Sequence, residues 1–235
     1  MINKEENERK NVQLLNLYNE NKDGFLLEYI KIYKDENPPD RLNEFGIVDT
    51  ENYDGDIGVL FIAKESNGWS NEDSEKNKTF RQWLHDISSS NNFEKDSHTQ
   101  KHPTMWYNVG RWAKFLTTDH DDIEALSSQK IEALSAIGRI AYTNVNKVRG
   151  SSSSGKMYDK IAKSDVARKL LGKEIEIIKP KIIVCCGTYN TVKETIKNKK
   201  IKNEIIENIK VIAMPHPASR INKFKMLEDL KSGMV

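Results

Sequence analysis

The chain has 235 residues, 31% charged and 37% hydrophobic, with a net charge of +2. That length suits one α/β domain with its own core, since single cores stop growing near roughly 250 residues. No apolar run approaches the roughly 18–20 residues of a membrane span, so no membrane partner is expected, and two adjacent cysteines, Cys185 and Cys186, exclude a disulfide framework.

The start, MINKEENERKNV, is polar with both signs of charge, unlike a signal peptide, and a cytoplasmic location is expected. Two amphipathic helices are predicted over 5–20 and 24–36, separated at Asp23-Gly24 and ended by Pro38-Pro39. They make residues 1–50 a helical flank outside the sheet, with 40–55 an irregular approach to the first strand. In DIGVLFIAKESNGW (56–69), the apolar run from Ile57 to Ala63 reads as a strand buried on both faces, and Lys64 to Gly68 as the loop at its carboxyl end.

A helix follows over KTFRQWLHDI (78–87), with Phe80, Trp83, Leu84 and Ile87 on one face. Next come a polar loop over 88–104 and helices over 105–117 and 121–138. The second strand lies in IAYTNVNKVRG (140–150), and SSSSG (151–155) is a low-complexity loop flanked by basic residues. One helix is predicted over 158–178, stopped by Pro180. The third strand, in KIIVCCGTYN (181–190), contains both cysteines, which read as reduced, packed thiols, and leads to a helix capped near Thr188 or Asn190. The fourth strand, in VIAMPHPASR (211–220), precedes a short closing helix.

Strands alternating with helices predict a parallel sheet with helices on both faces. One domain over 1–235 is expected, with a motif-bearing core over 56–220. Ligands of such sheets bind at the carboxyl ends of the strands, where all four polar loops gather. Charge divides unevenly: residues 1–138 sum to −10, 139–181 to +7 and 182–235 to +5. A basic second half fits either a phosphate-backbone footprint or solvated Lys-rich helices.

The loops hold the candidate chemistry. Glu65 is a carboxylate that can activate water or steady a developing cation, the two needs of N-glycosidic bond cleavage; a solvated loop charge is the other reading. His216, between Pro215 and Pro217, either stabilises negative charge on a leaving group or bonds a carbonyl at a strand end. Ser219 and Arg220 follow at a distance suited to a phosphate. Asn144 offers a donor and an acceptor for a nucleobase edge, or caps a turn, and Asn146 competes for either role. The aromatic residues Phe80, Trp83, Trp106 and Trp112 read as core. Asp96, His98 and His102 lack a second ligand cluster, so no metal is expected. There is no P-loop and no GxGxxG fingerprint, which argues against a nucleoside triphosphatase or a dinucleotide-dependent dehydrogenase.

Together these loops resemble the uracil-DNA glycosylase superfamily over residues 57–220. VLFIAKESNG resembles the strand that runs into GQDPY, GINPG or GEAPG, which places Glu65 at the water-activating position with Ser66, Asn67 and Gly68 beside the base. KTFRQWL resembles the segment whose Phe stacks on the extruded base, here Phe80, with Trp69 in reserve. YTNVNKVRG resembles the strand end whose Asn reads the base, here Asn144, with Lys147 and Arg149 toward DNA. KPKIIVCCG resembles the structural strand before a helix. MPHPASR resembles the HPS or HPA motif, whose His, here His216, polarises a ring carbonyl and whose neighbours, here Ser219 and Arg220, enter the minor groove. The resemblance implies a three-layer α/β/α sandwich with a four-stranded parallel sheet in the order 2-1-3-4.

Three departures shape the expectation. Two adjacent cysteines do not supply the four ligands of the iron–sulfur branch. Uracil-strict members carry a bulky Tyr where this chain has Asn67 and Gly68, which implies a pocket open to thymine-like or bulkier, phage-type pyrimidines. Glu also replaces the family's Asp or Asn. The expected function is a monofunctional DNA glycosylase without cofactor, a monomer acting on a nucleotide flipped from single- or double-stranded DNA in repair or anti-phage defence. Two alternatives stand beside it: a catalytically inactive DNA- or protein-binding module on the same fold, and a nucleoside or nucleotide N-glycosidase.

Overall fold

The computed structural model describes residues 2–35, 39–67, 78–89, 103–118, 122–150, 155–198 and 207–234. Gly68, Trp69, Asp96, His98 and His102 lie outside them.

Helix α1 (Lys4–Tyr33) is continuous through Asp23 and Gly24, where the sequence predicts a break. Leu14, Leu17, Tyr18, Phe25 and Tyr29 are buried along it on both sides of that pair. A glycine inside a helix costs about 1 kcal/mol relative to alanine, and burial of Phe25 alone contributes roughly 2 kcal/mol. Packing therefore overrides propensity. Asn3 caps the start by accepting from the Glu6 N–H, and the helix ends at Lys34 in the left-handed region (φ 52°).

The strands are β1 (Gly46–Ile47), β2 (Val59–Ala63), β3 (Ser66–Asn67), β4 (Ala141–Asn144), β5 (Arg149–Gly150), β6 (Ile182–Cys186) and β7 (Lys210–Met214). Five of them form a mixed sheet in the order β1-β4-β2-β6-β7. Its last four are parallel to their neighbours, whereas β1 runs antiparallel to β4. An all-parallel, four-stranded sheet is thus corrected to a mixed, five-stranded one. The added strand has two residues, too few to leave a periodic signature. The side chain of Asn11 on α1 completes its open edge, accepting from Ile47 N and donating to Ile47 O, both at 3.0 Å, as a neighbouring peptide would. β3 and β5 pair in parallel as a separate two-stranded sheet.

The central strands β2 and β6 are buried at every position because helices cover both faces. Helices α2 (Phe80–Ser89), α3 (Pro103–Thr117), α4 (Ile123–Ser128) and α5 (Ile131–Leu134), the last running into a 3₁₀ turn at Ser135–Arg139, pack together. Helices α6 (Gly155–Lys163), α7 (Asp165–Ile178) and α8 (Tyr189–Lys197) form a second group with α1, while α9 (Lys223–Met234) joins the first. Strand β4 shows the two sides: the Tyr142 ring packs on Phe80 and Trp106, and the Thr143 hydroxyl reaches Glu174 of α7. The single helix expected over 158–178 is divided at Ser164, whose hydroxyl accepts from Ala167 N at 3.2 Å and starts α7. Among the described residues, no helix is long and apolar enough to cross a membrane.

Candidate functional site

The ladder between β2 and β4 continues past the last residues of both strands. Val145 N donates to Ala63 O and Asn146 N to Lys64 O, each at 2.9 Å. This sets Asn146 beside Glu65. The Asn146 Nδ2 donates to Glu65 Oε2 at 3.2 Å, and the Tyr33 hydroxyl from the end of α1 donates to the same oxygen at 3.1 Å. Val148 N donates to Asn146 Oδ1 at 3.3 Å, which fixes the amide with its NH₂ toward the carboxylate. Burial, then the Glu65 charge and the hydrogen bond to it, push the Tyr33 phenol upward, so it stays protonated and donates.

Glu65 is buried at 8% exposure, and its Oε1 has no hydrogen-bond partner among the described residues. Gly150 closes over it: a Cβ there would overlap Glu65 Cδ and Cγ and stand 2.6 Å from Oε1. One carboxylate oxygen is therefore held by two donors while the other keeps its acceptor capacity.

Asn144 pairs with Ala63 across the sheet and is fully buried. Neither its Nδ2 nor its Oδ1 has a hydrogen-bond partner among the described residues. Side chains alternate along a strand, so Asn144 shares the face of Tyr142, the side of α2 and α3. Phe80 lies on that side at 2% exposure, with its ring 5.3 Å from Phe45, 5.4 Å from Trp83 and 5.9 Å from Tyr142. The stacking residue implied by resemblance is thus enclosed in an aromatic cluster, because four neighbouring rings, Trp106 being the fourth at 6.2 Å, pack around it.

The His216 loop is tied down from α3. Asn108 Nδ2 donates to Pro217 O at 2.7 Å, Arg111 donates to Asn108 Oδ1 at 2.8 Å, and Arg111 Nε donates to Gln129 O at 2.5 Å. Ala218 N donates to His216 Nδ1 at 3.2 Å, so the neutral tautomer matching that bond carries its proton on Nε2. Gly187, at φ 73°, ends β6 and donates to Met214 O at 2.8 Å. A Cβ on it would lie 3.3 Å from Lys64 Cε and 3.5 Å from His216 N. Loops after β2, β6 and β7 therefore meet at this glycine.

Lys147 requires a correction. It is fully buried rather than turned to a phosphate: its Nζ pairs with Glu174 Oε2 at 2.6 Å, donates to Thr143 Oγ1 at 2.6 Å and bonds Asn144 O. Tyr18 donates its hydroxyl to Glu174 as well. Burial lowers the Lys147 pKa and the Glu174 charge opposes that shift. This closed network braces the end of β4. Ser66, Asn67 and Arg149 are placed only through their backbones, in the β3–β5 pair. Ser219 is half-buried, its N–H donating to His216 O at 2.8 Å, and Arg220 is exposed. Burial pushes the Cys185 thiol up to about 12 and raises the Cys186 thiol well above its ordinary value, in keeping with packed, unreactive thiols.

Tyr33, Asn108, Arg111, Glu174 and Gly150 belong to this site and were not legible as such. The bonds from Tyr33 to Glu65, from Asn108 to Pro217 and those made to Glu174 span 27 to 156 residues of sequence, Arg111 reaches Gln129 18 residues on, Gly150 makes an unmarked close approach, and no motif connects them. A cleft of about 350 Å³ lies elsewhere, between α1 and Arg81, and is walled by Leu15, Tyr18, Glu44 and Phe45. Neither Glu65, Asn144 nor His216 lines it.

The fold and this cluster define an α/β protein with buried polar groups at the carboxyl ends of adjacent parallel strands. Compared with known proteins, the chain matches no protein-family model, no curated protein and no solved structure.

Proposed function

We propose that this chain is a monofunctional DNA glycosylase acting on uracil or a modified pyrimidine. The observation that carries the reading is a pair of buried groups at adjacent strand ends, Glu65 Oε1 and the whole Asn144 amide, without hydrogen-bond partners among the described residues. Each buried polar group without a partner costs about 1–3 kcal/mol, a penalty that a bound base and a water molecule would remove.

In this reading a water donates a hydrogen bond to Glu65 Oε1 and attacks the sugar carbon as the glycosidic C–N bond breaks. Glu65 accepts the proton of that water, and the electron pair of the broken bond leaves with the base. The Nε2–H of His216 stabilises the charge developing on a base carbonyl, and Asn144 reads a base edge through its donor and acceptor. Tyr33 and Asn146 hold the carboxylate through its other oxygen. Free base and an abasic site result. Arg220, with the exposed Ile221 beside it, faces solvent next to the His216 loop, where contact with DNA is required.

Mass spectrometry of bases released from uracil-containing, mismatched and phage-modified DNAs tests this directly. Glu65→Gln and His216→Ala should each slow release by roughly a hundredfold or more. Equal turnover by both variants would end the assignment.

A second reading, a non-catalytic binding module on this fold, is favoured by the enclosure of Phe80 and Asn144, at 2% and 0% exposure. DNA binding with no base released from any member of the panel would select it. A nucleoside hydrolase would instead cleave a mononucleoside faster than the same base in a duplex.

A further inference from the structure

We infer that the rim of the candidate site is a stacking platform for unpaired nucleotides, formed by Tyr189 and Phe224 on either side of the His216 loop. It rests on the reading of that loop as a nucleic-acid site, and is carried by separate observations.

Tyr189 and Phe224, at 38% and 39% exposure, are the exposed aromatic rings among the large apolar side chains open to solvent in the described residues. Isolated exposed apolar residues are ordinary. The position of these two is not. Tyr189 opens α8 two residues after Gly187, the glycine packed against His216. Phe224 sits in the first turn of α9, eight residues after His216. The two helices belong to different packing groups, α8 with α7 and α9 with α3 and α4. Both begin at the carboxyl end of the sheet, so the rings flank the loop.

The charge around them fits a polyanion. Residues 215–226 contain Arg220, Lys223 and Lys225 and no Asp or Glu. Arg220 and Lys223 are exposed, and Lys225 pairs with Asp229 at 2.8 Å. Lys193 Nζ lies 5.9 Å from the centroid of the Tyr189 ring. Aromatic faces interleaved with cations are what a single strand engages: bases stack on rings while phosphates meet the cations. A duplex hides its base faces, so the occupant is a single strand or the unpaired nucleotides beside an extruded one.

The test is fluorescence anisotropy with a fluorescein-labelled, undamaged oligothymidylate of about 12 nucleotides. It should bind wild type more tightly than a duplex of equal length. Tyr189→Ala and Phe224→Ala should each weaken binding about 5- to 100-fold at unchanged thermal midpoint, and Tyr189→Phe should retain it. Leu27→Ala, at an exposed site on α1, serves as the control. Failure of wild type to bind, or wild-type affinity in both alanine variants, overturns the platform. Binding through these rings with no base released from any DNA would instead keep the platform and remove the glycosylase reading. A vesicle of anionic lipid or a polyacidic peptide competing as well as the oligonucleotide would overturn the nucleic-acid assignment.

Discussion

Asn146 donates its side-chain amide to Glu65 Oε2 at 3.2 Å, joining loops 81 residues apart. The contact exists because two backbone hydrogen bonds extend the β2–β4 ladder by two residues. It leaves the side-chain amide of Asn144, two positions earlier, facing the core with no hydrogen-bond partner among the described residues. The two asparagines of TNVN thus divide the work: one holds the carboxylate, the other keeps its amide available.

Asn146→Asp would set a second carboxylate against Glu65 in a buried site. Like charges at that range raise a carboxyl pKa strongly and destabilise the fold, by roughly 3 kcal/mol or more. Adding Glu65→Gln should recover most of the loss, because the pair is then one charge and one amide. Urea denaturation of the two single variants and the double variant measures the coupling. Additive losses would show that the two side chains do not interact.

Gly150→Ala should destabilise the chain by about 1–3 kcal/mol and, under the proposed function, slow base release, since the new methyl overlaps the Glu65 side chain. Gly55→Ala is the matched control, with no atom within 4 Å of its Cβ position. Equal midpoints for the two variants would mean that the β3–β5 sheet does not press on Glu65.

The Lys147–Glu174 pair lies at 0% side-chain exposure for both partners. Removing one charge strands the other, so Lys147→Met should cost roughly 3–5 kcal/mol. The double variant Lys147→Met with Glu174→Leu should lose less than the single one. A double variant as unstable as Lys147→Met would count against the pair as the source of the penalty.

Stability should fall steeply above pH 10. Burial raises the phenols of Tyr18, Tyr33, Tyr53, Tyr142 and Tyr158 above their ordinary value of 10.0. A group raised in the folded state contributes fully below its unfolded pKa, and that contribution is lost as pH rises beyond it. Each phenol should therefore remove about 1.4 kcal/mol per pH unit above 10. Lys10 and the buried Lys147, whose pKa values are lowered, act in the opposite sense below pH 10.5, two groups against five phenols. Urea midpoints from pH 8 to 11 measure the slope, and absorbance at about 295 nm should show these five of the eight tyrosines failing to ionise in the folded chain. A flat stability profile would contradict their burial.

The four longer strands were legible because each is a short apolar run ending in polar residues, the signature of a strand covered on both faces. β1, β3 and β5 were not, since two residues carry no period. The break predicted at Asp23-Gly24 failed because Phe25 and Tyr29 pack into the core and hold the helix together. That continuity is what carries Tyr33 to Glu65.

By itself, the order of residues determined which segments are strands and which loops lie at their carboxyl ends, because those properties follow from local runs of apolar and polar side chains. Only the tertiary structure decided that Asn146 rather than Asn144 meets Glu65, that Lys147 is spent on Glu174, and that Asn108 holds Pro217. Those choices depend on strand register and on helices that arrive from distant parts of the chain, which no local pattern encodes.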